Sequence, residues 1–162
     1  MAFYAHKAFV IYKLRKEDYS IMSALKRKEA REIVVGLLFE AEFRTDESSK
    51  EVYAISTENR EIPKDDYVER AYFGVCDNRD KIDELIGASA KGWKTNRLTK
   101  LLRSIMRLAT YEMLFESDIP YSVSINEAIE LTKKFDDPQA RAFVNGVLNS
   151  VKDKLEAENP KQ

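Results

Sequence analysis

The amino-acid sequence predicts an all-α fold: a compact bundle of six or seven helices, or two subbundles divided near a long polar connection. Three observations predict it. Only 5 Gly and 4 Pro interrupt 162 residues, which favours long helices with few turns. In the C-terminal half, apolar residues recur at three- and four-residue spacing, the period of one helix face. No segment alternates with period two over a useful length, and Tyr53–Ser56 (YAIS) is the one strand-like fragment.

The elements follow in order. KRKEAREIVVGLLFEAEFR lies within a first strong helix over about 23–44. It opens on Lys26, Arg27, Lys28 and Arg31 and turns apolar through Val34, Val35, Leu37, Leu38 and Phe39. TDESSKEVYAISTENREIPKDD is a polar connection with room for a short helix. Asp66 to Cys76 reads as helical, as does Asn78 to Ile86, and GASAKGW is a break. A long helix starts at Asn96 and carries Leu98, Leu101, Leu102, Ile105, Leu108 and Ala109 on one face. Ser124 to Glu127 (SINE) has the pattern of a capping box and opens a helix that buries Ile125, Ala128, Ile129, Thr132 and Phe135. Asp137 suits an N-cap and Pro138 the first helical position of a last helix over 138–156, packed through Val144, Val147, Leu148, Val151 and Leu155.

The length suits one domain with an ordinary core. Residues 22–156 are expected to form it, with 1–21 a poorly ordered extension (Met22 is a second potential start) and 157–162 a tail. The single cysteine, Cys76, cannot pair internally, which points to a reduced, cytoplasmic setting. It reads as a buried core thiol, since no base accompanies it. No apolar run approaches the roughly 18 residues of a membrane span. The one histidine, His6, lies in the extension. No glycine-rich phosphate loop occurs, and Asp65–Asp66 and Asp136–Asp137 fit turns and caps. These features point away from an enzyme, a metal site and a cofactor.

Charge carries more information. The net charge is -1, yet 34% of residues are charged, against about 25% in typical domains. Lys26, Arg27, Lys28 and Arg31 crowd a helix N-terminus, where the macrodipole disfavours each base by about 0.3–1 kcal/mol. A bound phosphate would resolve that conflict. A solvated face neutralised by Glu29 and Glu32 is the alternative. From Lys91 to Tyr111 there are six bases and no acid. Lys100, Arg103 and Arg107 fall within about 60° on a helical wheel, opposite the leucine face, as a basic stripe or a salt-bridged one. Phe135, Phe143 and Tyr121 flank helix ends near Arg141 and Asn145. Such rings either fill a core or stack on single-stranded bases.

RLATYEMLFESDIPYSVSINEAIELTKKF, followed by RAFVNGVLNSV, resembles the NusB family of bacterial transcription antitermination factors. KRKEAREIVVGLLFEAEF is similar to that family's arginine-rich first helix, and GWKTNRLTKLLRSIMRL to its N-W-x-x-x-R-L stretch. The likeness covers about 23–155 and is weakest near 45–65. It implies an all-helical, non-enzymatic factor that pairs with ribosomal protein S10 (NusE). The pair binds single-stranded boxA-like RNA of nascent ribosomal transcripts and keeps the elongation complex processive. By position it implies RNA contacts at Arg27, Lys28 and Arg31, and at Phe135, Phe143 and Asn145. Arg141 stands one step before a position where the family usually has lysine, here Ala142. It also implies a protein-partner contact near Phe39 and Leu102, and, in some members, a homodimer through the RNA-binding edge. The chain departs from the family pattern at Leu102, where an acid is common, at Ser89, where tyrosine is frequent, and at Pro138–Gln139, usually an acidic pair. The departures at Leu102, Ser89 and Ala142 motivate a second reading, a helical interaction module with altered or lost RNA specificity. A third, a fragment of a ribosomal RNA methyltransferase, ranks last because no cofactor loop is present.

Overall fold

The computed structural model describes residues 25–92 and 98–158. Among them are seven α-helices and no strand: α1 Arg27–Ala41, α2 Ser49–Asn59, α3 Asp66–Asp77, α4 Arg79–Ser89, α5 Lys100–Phe115, α6 Tyr121–Phe135 and α7 Arg141–Glu158. A single 3-10 turn, Pro138–Ala140, precedes α7. The expected all-α class is what the chain adopts. The extension over 1–21, with His6, lies outside the described residues. Contacts divide the chain into 1–73 and 74–162. That division falls inside α3, not at the polar connection.

In the first unit, the apolar half of α1 supplies a core of Val34, Val35, Leu37, Leu38 and Phe39, none more than 5% exposed. The polar connection holds a full helix, α2. Ser48 and Glu51 cap it reciprocally: Glu51 N donates to Ser48 Oγ at 3.3 Å and Ser48 N to Glu51 Oε2 at 2.7 Å. Tyr53–Ser56, strand-like in isolation, is therefore helical. Val52 and Ser56 face inward, and Tyr53 packs on Tyr72 and Phe73 with ring centroids 5.3 and 4.9 Å apart. Tyr72 Oη donates to Ser49 O at 3.0 Å, tying α3 to the start of α2. Glu40 pairs with both Arg60 and Arg44, and Arg44 also chelates Glu47.

In the second unit, α5 packs against α4, α6 and α7. Every residue from Leu101 to Met113 is buried except Arg103, which is partly exposed. Leu102, Ile105 and Met106 have no exposed surface, and each such side chain contributes about 1.5–3 kcal/mol by leaving water. Of the two readings of Lys100, Arg103 and Arg107, a basic stripe or a salt-bridged one, Arg107 takes the salt-bridged one. Lys100 stays exposed and Arg103 partly exposed, while Arg107 is neutralised in place. Arg107 Nε and Nη2 each lie 2.7 Å from a carboxylate oxygen of Asp83 on α4. Lys94 and Arg97 lie outside the described residues. Cys76 is half-buried and not a full core residue.

Several expected helix starts move: α1 runs Arg27–Ala41 and not over 23–44, and α5 begins at Lys100 behind its N-cap Thr99 and not at Asn96, which leaves Leu98 ahead of the helix. The helix assigned to SINE begins earlier, at Tyr121, with Pro120 in the extended conformation (φ -60°, ψ 142°) as N-cap. Ser124 does not cap it. Its hydroxyl donates to Glu112 Oε2 at 2.6 Å, and both side chains are buried. A buried carboxylate gains more from that hydroxyl than the helix end would. Asp137 caps as expected, accepting from Gln139 N at 2.9 Å, but Pro138 opens a 3-10 turn and α7 begins at Arg141. That helix continues to Glu158, two residues into the expected tail.

Candidate nucleic-acid interface

At the start of α1, Lys26 N donates to Glu29 Oε2 at 3.3 Å. A lysine ammonium has no lone pair, so it cannot return the favour by accepting a first-turn amide. The positive end of the helix therefore carries cations where an anion would stabilise it. Arg27 and Lys28 are exposed. The Arg27 guanidinium lies 4.1 Å from the Tyr67 ring centroid, a cation–π contact that orients it. Arg31 differs: it is 5% exposed. Its position, one turn into the helix, turns it inward beside Ala30 and Val34. The expected trio thus resolves into two displayed cations and one embedded one.

In the second unit, the corner between α6 and α7 carries Phe135, Arg141, Phe143 and Asn145. Thr99, the N-cap of α5, fixes it. Thr99 Oγ1 donates to Asp136 Oδ2 at 2.7 Å and accepts from Leu102 N at 3.0 Å. Lys134 Nζ sits 4.9 Å from the Phe135 centroid. Phe135 and Phe143 are 8% and 7% exposed, so each presents an edge and fills the core with the rest. Arg141 is exposed, with Nε donating to Pro138 O at 2.8 Å. Asn145, one helical turn on, is also exposed. Asn149 Nδ2 donates to its Oδ1 at 3.0 Å, which turns the Asn145 amide NH2 toward solvent.

The expected protein-partner residues do not reach the surface. Leu102 is fully buried and Phe39 is 2% exposed. An apolar residue at position 102 packs inward where an acid would have sought water. Phe43, 47% exposed and edge-on to Phe39 with centroids 5.0 Å apart, is the aromatic that α1 and its exit display. Ser89 is buried, and its hydroxyl has no hydrogen-bond partner among the described residues. Sequence reasoning missed Asp83, the partner of Arg107, because nothing local links residues 24 positions apart. No helix among the described residues is long and apolar enough to cross a membrane.

The described residues thus form an all-helical domain that displays two cations at a helix start, an arrangement suited to an anionic ligand. Sequence comparison is more specific. The NusB family profile matches residues 28–153. The transcription antitermination protein NusB of Clostridium perfringens (strain SM101) is 41% identical over 131 residues, 78% of this chain and 96% of that protein. Among solved structures, NusB of T. maritima superposes with a TM-score of 0.69 at 36% identity, covering 83% of this chain and 99% of that one. A structure of the antitermination factors NusB and NusE in complex with double-stranded RNA matches with a TM-score of 0.68 at 25% identity, covering 79% and 96%. The chain belongs to the NusB family.

Proposed function

We propose that this protein is a transcription antitermination factor. It binds boxA-type RNA of nascent ribosomal transcripts together with ribosomal protein S10 (NusE) and supports processive transcription in the cytoplasm. The name of the curated relative and the composition of the NusB–NusE–RNA neighbour support the reading. The observation that carries it in this chain is the start of α1. Arg27 and Lys28 are exposed at the positive end of a helix whose remainder is anchored in the core. Phosphate contacts there supply salt-dependent affinity, while Arg141 and the Asn145 amide at the α6–α7 corner supply polar contacts to bases. The partner contact falls on Phe43, since Phe39 and Leu102 are inside. The domain proper comprises 22–158, to the end of α7, and a chain beginning at Met22 folds and binds like the whole.

The test is fluorescence anisotropy of a short boxA-like single-stranded RNA, with and without the S10-type protein, over a salt series. Affinity that rises with the partner and falls with salt supports the reading. Absence of binding in both conditions sinks it. The low exposure of Arg31, Phe135 and Phe143 then favours the second reading, an interaction module of the same fold. Sedimentation of the protein alone decides whether it self-associates.

A further inference from the structure

We propose that Tyr67 is a positioning residue for RNA binding: its ring holds the Arg27 guanidinium, at the start of α1, in the place where it meets a phosphate. The proposal rests on the RNA-binding reading above and adds to it a residue too buried to reach the RNA itself. Both residues belong to the first unit. The Arg27 guanidinium carbon lies over the Tyr67 ring, 4.1 Å from its centroid. Arg27 is exposed, whereas Tyr67 is 4% exposed, so a surface cation rests on a ring rooted in the core. The ring is held from its own helix. Tyr67 is the second residue of α3, and Asp65 fixes that helix start. Asp65 Oδ1 accepts from Val68 N at 2.9 Å and Asp65 O from Glu69 N at 3.1 Å. Val68, the next residue, has no exposed surface. A close-packed ring on a capped helix start keeps one orientation.

What the ring does for the cation follows from the chemistry of arginine. An exposed arginine loses rotamer freedom when it grips a ligand, and that loss weakens binding. Arg27 has given up part of this freedom to Tyr67 before any RNA arrives. The contact draws on the charge of the guanidinium and the face of the ring, and it consumes no N–H. Among the described residues no hydrogen bond or ion pair engages Arg27. Its planar fork of donors therefore stays whole for the two oxygens of a phosphate. Lys28 is the natural control. It is exposed beside Arg27, carries the same charge, and rests on no ring among the described residues.

The experiment titrates a boxA-like single-stranded RNA, by anisotropy over a salt series, with the full chain and with its Tyr67→Leu, Tyr67→Phe, Arg27→Ala and Lys28→Ala variants. Tyr67→Leu is also combined with each of the two cation changes. Thermal melts set a temperature at which every variant is folded. Tyr67→Leu should weaken binding on the order of fivefold. Tyr67→Phe keeps the ring and should recover most of that loss. Arg27→Ala should weaken binding and lower the salt slope by about one. In that background Tyr67→Leu should cost nothing further, whereas beside Lys28→Ala it should cost as much as it does alone. A general loosening of the fold would weaken both backgrounds alike. Equal cost in the two backgrounds therefore overturns the proposal. So does parent-like binding by Tyr67→Leu or by Arg27→Ala, or a Tyr67→Phe protein as weak as Tyr67→Leu. Each of these leaves the functional reading standing, while no RNA binding by the parent overturns both.

Discussion

The ring of Tyr111 covers Gly74 so closely that a Cβ on Gly74 would lie 2.2 Å from Cε2. The glycine lets α3 approach the ring on α5, and Tyr111 Oη in turn reaches Glu116 Oε1 at 3.1 Å. Gly74→Ala should destabilise the protein by about 1–3 kcal/mol through overpacking, despite alanine's higher helix propensity. Gly87→Ala should be neutral or stabilising by up to about 1 kcal/mol. Urea unfolding of the two variants checks both signs. Equal stability of the two would show that the Tyr111 contact yields cheaply.

Arg31 and Lys28 should separate by phenotype. Lys28→Ala should leave the melting temperature unchanged and weaken RNA binding with a salt slope lower by about one. Arg31→Ala should lower stability by about 1–3 kcal/mol, because a buried residue and the groups it satisfies are lost together. The measurement is a thermal melt beside an anisotropy titration for each variant. An Arg31→Ala protein with parental stability and reduced RNA affinity would restore that residue to the displayed surface.

The Arg107–Asp83 pair sets a third expectation. Asp83→Ala leaves a guanidinium that is 7% exposed without its bidentate partner. The Asp83 side chain is 39% exposed, so water softens the loss, and about 1–3 kcal/mol is the expected cost. Replacing Arg107 and Asp83 together by Met and Ala should cost less than the two single changes summed. A double-mutant cycle in urea measures the coupling, and strict additivity would deny it.

Acid should loosen the start of α2. The Ser48 backbone and hydroxyl donate to Glu51 and hold its carboxyl below the ordinary value of 4.5. A depressed carboxyl stabilises the fold at pH values above the unfolded value, and this contribution fades as pH falls through the lowered one. NMR titration should place the Glu51 midpoint below 4.5, and Ser48→Ala should raise it. An unshifted midpoint in the parent would remove the reciprocal cap.

What the sequence made legible follows from locality. The leucine spacing of α5, the Asp137 cap and the basic start of α1 are each written within a few residues. Helix α2 was legible too, in the SSKE of Ser48–Glu51. Its polar composition hid it, because only Val52 and Ser56 of that helix are buried. The SINE motif misled for the opposite reason. It matches a cap locally, while Ser124 answers to Glu112, twelve residues earlier.

The sequence by itself determined the helical class, the core faces of α5, α6 and α7, and the place in the NusB family. All of these rest on period and motif, which are properties of neighbours along the chain. Tertiary structure alone decided which cations the protein displays. Arg27 and Lys28 remain outside, whereas Arg31 and Arg107 are 5% exposed. It also put Phe39 and Leu102 inside. Burial and ion pairing depend on groups distant in sequence, as Asp83 is from Arg107, and a charge is worth different amounts in water and in the core.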